Sequence, residues 1–281
     1  MIHGTLAGVL TSTMPVRLLG ESDRADVLSL LARSPIASAQ LAERIEAYGV
    51  SAWRTGGQLL GHGPRSHLEA VCWRGANVIP IGVSTHFAEV LAADRRGVGS
   101  IAGPAEAVLD LWRRLGPGWG PARLTRPDQP LLVTGGPAAV VPEPRVRLVR
   151  RRELSLLYPA SVAMYTEELG VPPIEAEYQK RVASLIRARR AYAWIEGGQV
   201  LFKAELAVVT RHTAQLQGVW VAPEHRGRGI GSACLAAVVE DGLRRLAPTV
   251  SLYVNDFNST ARRVYAKCGF RQVGTFATIL F

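Results

Sequence analysis

The stretch Leu216-Gln217-Gly218-Val219-Trp220-Val221-Ala222-Pro223-Glu224-His225-Arg226-Gly227-Arg228-Gly229-Ile230-Gly231-Ser232 constrains this chain more than any other. It begins as an apolar strand, breaks at a proline, and runs through Arg-Gly-Arg-Gly-Ile-Gly into an amphipathic helix with Leu235, Val238, Val239 and Leu243 on one stripe. Gly227, Gly229 and Gly231 can take backbone angles that other residues avoid, so successive N–H groups can converge on one point with no side chain in the way. The helix starting near Ile230 adds unpaired N–H groups and the positive end of its dipole, roughly 0.3–2 kcal/mol per anionic group. This order predicts an anion cradle, and a pyrophosphate fits it.

Spacing narrows the ligand. The dinucleotide pattern G-x-G-x-x-G fails, because its last position falls on Ser232 when read from Gly227 and on Cys234 when read from Gly229. The nucleotide P-loop fails as well, since no Lys followed by Ser or Thr comes after the last glycine. What matches is Arg226-x-x-Gly229-x-Gly231 after a strand ending Val219-x-Val221-x-Pro223. This resembles the coenzyme A pyrophosphate loop of the GNAT acetyltransferases, which move an acyl group from acyl-CoA to an amine. A plain Arg- and Gly-rich surface turn is the alternative for a chain so rich in arginine.

A second stretch, Leu252-Tyr253-Val254-Asn255-Asp256-Phe257-Asn258-Ser259-Thr260-Ala261-Arg262-Arg263-Val264-Tyr265-Ala266-Lys267-Cys268-Gly269-Phe270, is similar to that family's N-x-x-A-x-x-x-Y-x-x-x-G-F segment, with each position filled. Asn258 is also a natural helix N-cap and Gly269 a natural helix stop, while Tyr265 shares a helical face with Ala261, Val264 and Cys268 and could serve as core. The two motifs stand in the family's order.

The resemblance implies acetyl-CoA as cosubstrate, no metal, and direct attack of an amine on the thioester. It implies that Val219, Trp220 and Val221 line the pantetheine arm, with the N–H groups of Val219 and Val221 polarising the carbonyl. It assigns the phosphates to Arg226, Gly227, Arg228, Gly229, Ile230, Gly231 and Ser232, a pantetheine amide or a bound water to Asn258, and the role of general acid to Tyr265. A non-catalytic acyl-CoA sensor is the rival reading.

The base is less legible. Gln217 stands on the signature strand, near where several members of the family it resembles carry a glutamate, and a glutamine cannot accept the amine's proton. Glu205 on the preceding strand shares a face with Lys203, which fits a base beside the acceptor or, as the favoured reading, an exposed ion pair. His212 and His225 fall in turns. A lysine side chain is neutral in only about one molecule in 2,500 at pH 7, an α-amine in roughly one in seven, so a weak base suits an α-amine better. The acceptor stays open between a small-molecule amine, an aminoglycoside-like compound and a protein N-terminus.

Charge does not redirect the reading. The formal net charge is +10, but only Lys180, Lys203 and Lys267 among the 33 basic residues are lysines, and apart from Arg145 to Arg152 and Arg187 to Arg190 the charge is scattered. A positive field suits polyanionic coenzyme A. A nucleic-acid binder would need an aromatic-studded basic strand or a recognition helix, and neither is evident. Cys72, Cys234 and Cys268 form no C-x-x-C pair, so neither disulfide framework nor zinc site is expected. No membrane span or basic-flanked leader is legible, and a cytoplasmic location is expected.

Hydrophobic periodicity gives the first half as strand, two helices, three strands, helix, strand, helix, and the second half repeats that order. The expectation is an α/β (α+β) chain of two tandem GNAT-like domains, each a mixed, mainly antiparallel sheet flanked by helices. Residues 1–140 would be a degenerate first domain, similar to the domain of unknown function that precedes the catalytic module in some two-domain bacterial GNAT proteins, and residues 145–281 the acetyltransferase. The boundary is placed in the proline-rich run near Gly135 to Pro144, since 116–144 should resist both helix and central strand, although Gln129 to Val133 can still finish the first domain's sheet. Arg271 to Val273 and Phe276 to Phe281 are expected as a closing pair of strands.

Overall fold

The computed structural model describes residues 16–64, 67–93, 95 and 97–281; residues up to about Ser12, whose sequence reads as a loose tail, lie outside them. In the first half come β1 (Arg17–Leu18), α1 (Arg24–Leu31), α2 (Ala39–Tyr48), α3 (Ala52–Thr55), β2 (Gln58–His62), β3 (Ala70–Arg74), β4 (Asn77–Ile81), α4 (His86–Leu91), β5 (Ser100–Pro104), α5 (Ala105–Trp119) and β6 (Leu124–Thr134). The second half adds β7 (Arg147–Leu148), α6 (Leu154–Leu169), α7 (Glu175–Arg187), β8 (Ala191–Glu196), β9 (Gln199–Val209), β10 (Ala214–Val221), α8 (Ile230–Arg245), β11 (Val250–Tyr253), α9 (Ser259–Lys267) and β12 (Arg271–Leu280).

All twelve strands join one sheet in the order β1-β2-β3-β4-β5-β12-β6-β11-β10-β9-β8-β7. Among the described residues only β4/β5 and β10/β11 pair in parallel; the rest of the ladder is antiparallel. Side chains alternate across the sheet, so each strand feeds two cores. From β3, Val71 and Trp73 pack with Leu41 and Ile45 of α2, while Cys72 packs with Phe87 of α4 and Leu111 of α5. From β9, Phe202, Ala204 and Leu206 pack under α8, and Val200 joins Tyr178, Val182 and Ile186 of α7. Strands buried on both faces read as nearly continuous apolar runs, which is why their type was legible.

The halves exchange strands at the centre. β6 pairs with β11 through Leu131 to Thr134, and β12, from the end of the chain, pairs with β5 through Phe276 to Leu280. β6 and β12 also pair with each other along their length. The segment between Thr134 and Arg147 holds no helix or strand, but the sheet continues across it.

Two expectations are corrected here. Residues 116–144 do not resist regular structure: α5 continues through Pro117 to Trp119, and β6 takes in the expected Gln129 to Val133 but starts at Leu124 and is central in the sheet, despite Pro127 and Pro130. Pro117 lies in the last turn of a helix held by buried Val108, Leu111 and Leu115. Pro127 falls where the β6/β12 register shifts, and Pro130 lies just past the last β11 pair, Tyr253 with Leu131, where its carbonyl accepts the Val254 N–H at 3.2 Å. Neither position requires the N–H that proline lacks. The expected closing pair of strands is one strand, β12, with its own shift in register at Gln272 to Gly274.

Candidate active site

The site begins where β10 leaves β11. The two strands pair only at Ala214/Val250 and Gln215/Ser251, and then part. Against β9, β10 carries a bulge between Gln217 and Trp220, with Gly218 at φ +57°. A side chain there would be strained, and its Cβ would stand 2.4 Å from the Glu205 Oε1. Beyond the bulge the Ala222 N–H donates to the Leu201 carbonyl at 2.9 Å. Strand alternation then turns the Trp220 N–H toward β9 and the Val219 and Val221 N–H groups toward the gap beside β11.

The gap leads to the glycine loop. Pro223–His225 make one tight turn, Gly227 and Gly229 take φ +74° and +79°, and Gly229 caps α8. A Cβ at Gly227 or Gly229 would meet no atom within 4 Å, so the loop faces open space where a ligand can reach its amides. The first N–H groups of α8 have no partner within the helix. Gly242 fixes the approach of α8 to the sheet, since a Cβ there would stand 2.9 Å from Leu206 Cδ1 and 3.2 Å from Val250 Cγ2.

The Arg226 side chain is turned away from the amides. Its Nε donates to the Val221 carbonyl at 2.9 Å, and its guanidinium meets Glu167 of α6 at 2.8 Å and 3.1 Å. Trp220 Nε1 donates to the same carboxylate at 3.1 Å. These contacts brace the loop against α6. Arg228 is exposed, Ile230 packs against the core under α8, and Ser232 is buried.

Helix α9 closes the other side of the gap. Asn258 is its N-cap, with Oδ1 accepting the Ala261 N–H at 3.0 Å. Tyr265 is buried edge-on to Phe270, ring centroids 5.9 Å apart, and its hydroxyl makes no hydrogen bond among the described residues. Burial, then the nearby Glu168 carboxylate, raises the Tyr265 pKa well above the usual phenol value, so the group is protonated at neutral pH. Val219, Trp220, Val221, Gly227, Gly229, Gly231, Asn258, Tyr265 and Glu205 all line one cleft of about 1330 Å³.

Lys203 and Glu205 are not exposed, contrary to the favoured sequence reading. They retain 1% and 6% of their exposure, with Nζ to Oε1 at 3.5 Å. Strand alternation puts both on the face covered by α6, where Met164 Cε would lie 3.1 Å from a Cβ on Gly218. Desolvation lowers the Lys203 pKa, and Glu205 opposes that shift. Gln217 sits directly opposite Glu205 in the β9/β10 register.

The first half supplies the remaining wall. Gln40 of α2 donates to Gln215 Oε1 at 3.1 Å, and Glu43 accepts from Arg190 at 2.6 Å and from the Val209 N–H at 2.9 Å. On the floor, Thr278 donates to Gln129 (2.6 Å), Gln129 to Asn255 (2.9 Å) and Asn255 to Glu168 (3.1 Å), and Glu168 also pairs with Arg126. Sequence reasoning missed this network, because Gln129 reaches Asn255 only once β6 lies between β11 and β12.

Residues 57–157 match a domain of unknown function, DUF4081, and residues 155–270 match the acetyltransferase (GNAT) family. The chain therefore carries a DUF4081 domain followed by a GNAT acetyltransferase domain. Its fold is similar to that of a GCN5-related N-acetyltransferase from Sphaerobacter thermophilus (16% identity, 97% of each chain covered, TM-score 0.61). It is also similar to a tandem GNAT protein from the clavulanic acid biosynthesis pathway (14%, 95% of this chain and 98% of that one, TM-score 0.55). A third similar structure is a Drosophila protein (14%, 95% and 99%, TM-score 0.67). Against curated protein sequences there is no match.

Proposed function

We propose that the chain transfers an acetyl group from acetyl-CoA to a primary amine by direct attack, with both substrates bound at once. The observation that carries this reading is the parted β10/β11 junction, which opens onto side-chain-free glycines, a helix N-terminus and Tyr265 in one cleft. The residues present fit the cosubstrate. The amides from Gly227 to Ser232 would hold its pyrophosphate, with Arg226 bracing the loop and Arg228 beside it, and Asn258 would meet the pantetheine arm alongside Trp220.

Bound acetyl-CoA supplies the thioester. The Val219 and Val221 N–H groups would donate to its carbonyl oxygen as negative charge develops there, a contact already oriented before reaction. The amine nitrogen would add to the carbonyl carbon, moving the π electrons onto the oxygen, and the carbon–sulfur bond would break as the carbonyl re-forms. Tyr265, neutral and without a competing partner, would give its proton to the departing sulfur. Glu205 would take the proton released by the amine. Residues 1–140 would shape the acceptor side through α2, and residues 145–281 would carry the chemistry.

A Tyr265→Phe variant separates transferase from sensor. It should bind acetyl-CoA as the wild type does and release thiol roughly 10²–10⁴-fold more slowly. Equal turnover by the variant would remove Tyr265 from the mechanism.

A further inference from the structure

The acceptor side of the cleft holds more hydrogen-bond donors than the protein uses. Four carboxylates line the cleft, and each is already held: Glu167 by Arg226, Glu168 by Arg126, Glu43 by Arg190 and Glu205 by Lys203. Two arginines on the acceptor wall, Arg44 and Arg181, meet no carboxylate among the described residues. Arg44 donates to the Thr55 carbonyl at 3.0 Å and lies over the Trp73 ring at 4.8 Å, with its buried Nε unpartnered. Arg181 donates once, to Gln217 Oε1 at 3.2 Å, and is otherwise exposed.

Behind Gln217 lies a buried donor with no hydrogen-bond partner among the described residues. Gln215 is wholly buried; its Oε1 accepts from both Gln40 (3.1 Å) and Gln217 (3.3 Å), and its Nε2 meets nothing. The chain Gln40, Gln215, Gln217, Arg181 therefore runs from the first half to the open cleft with donors in surplus. A cationic acceptor would face two uncompensated guanidinium groups, whereas an anion would be held by charge-assisted hydrogen bonds. Those same positive charges would favour the neutral, attacking form of an amine bound beside them.

Resting on the transferase reading above, we propose that Arg181, with Arg44 further along the same wall, binds a carboxylate carried by the amine acceptor. Gln217, which Arg181 contacts, lies directly opposite Glu205, so the carboxylate and the reacting amine are held close together. That spacing suits an amino acid or a short peptide. The carboxylate can be the α-carboxylate or an acidic side chain, and the two sources are separable.

The test uses the full chain, acetyl-CoA and matched acceptors: glycine against glycinamide, 4-aminobutyrate against its amide, and an aspartyl against an asparaginyl peptide amide. The free acid should be preferred about 10- to 100-fold in kcat/KM in at least one pair, the expected strength of a charge-assisted contact. The pair that responds identifies which carboxylate is read. Arg181→Gln should bring that ratio near one while the calorimetric affinity for acetyl-CoA stays within about twofold. Equal or better use of every amide, no turnover of any free acid, or a ratio that Arg181→Gln leaves unchanged overturns the inference. In each of those cases normal acetyl-CoA binding leaves the transferase reading standing, whereas failure of the wild type to bind acetyl-CoA removes that reading itself.

Discussion

In the first half β4 and β5 pair at Asn77/Ser100 and Val78/Ile101 and stay close as far as Gly103, whose added Cβ would lie 3.2 Å from the Pro80 carbonyl oxygen. In the second half β10 and β11 part after Gln215/Ser251. The turns that follow differ in the same sense. Gly82 takes φ +80°, but a Cβ there would press on Ala70 Cβ at 2.9 Å, and the helix beyond, α4, spans six residues. Gly227 and Gly229 open on empty space, and α8 spans sixteen. Other parts are shared: Arg17 reaches Asp23 as Arg147 reaches Glu153, each acid also taking a backbone N–H at the start of a helix. One frame is thus built twice, and the Gly218 bulge with the widening β10/β11 gap distinguishes the second half.

The largest effect expected from breaking this comparison concerns the shared centre. A fragment of residues 145–281 lacks β6, the strand that pairs both β11 and β12, and leaves Leu131 to Thr134 missing from the sheet. It should show no cooperative thermal transition by circular dichroism; a sharp transition would mean that the halves are independent. Next come the glycines. Gly229→Val, at φ +79° in open space, should weaken acetyl-CoA binding by about tenfold or more, because a left-handed side chain costs roughly 1–2 kcal/mol and blocks the amides. Gly82→Ala should instead lower stability by about 1–3 kcal/mol in urea titration with acetyl-CoA affinity unchanged.

The smallest effect is electrostatic. The Arg147 guanidinium, then the Arg150 N–H, holds the Glu153 pKa down to about 2. Its folded-state pKa is depressed, so its contribution is complete above the unfolded value near 4.3 and lost as pH falls toward 2. The group is partly exposed, and solvent screening limits the contribution to about 1 kcal/mol or less. Glu153→Gln should therefore cost stability at pH 7 and progressively less as pH falls through 2, read as a gap in urea midpoints that narrows on acidification.

What was legible in the sequence was local. The glycine loop, its strand and its helix are contiguous, so their order alone predicted a cradle, and the buried face of α8 followed from spacing. What depended on distant packing was not legible. Pro127 and Pro130 argued against a central strand because the bulge and the end of β11, which excuse them, lie more than 120 residues away. Glu205 read as exposed because nothing near it in sequence announces that α6 covers it. Arg226 pointed to phosphate, and Glu167, on a helix about 60 residues earlier, holds its side chain instead.

Isothermal calorimetry of the full chain with acetyl-CoA tests the central claim most directly. One cosubstrate should bind per chain, at the β10/β11 gap, and Gly229→Val should weaken it. Absence of binding, or uptake of a second molecule by the first half, would contradict the account.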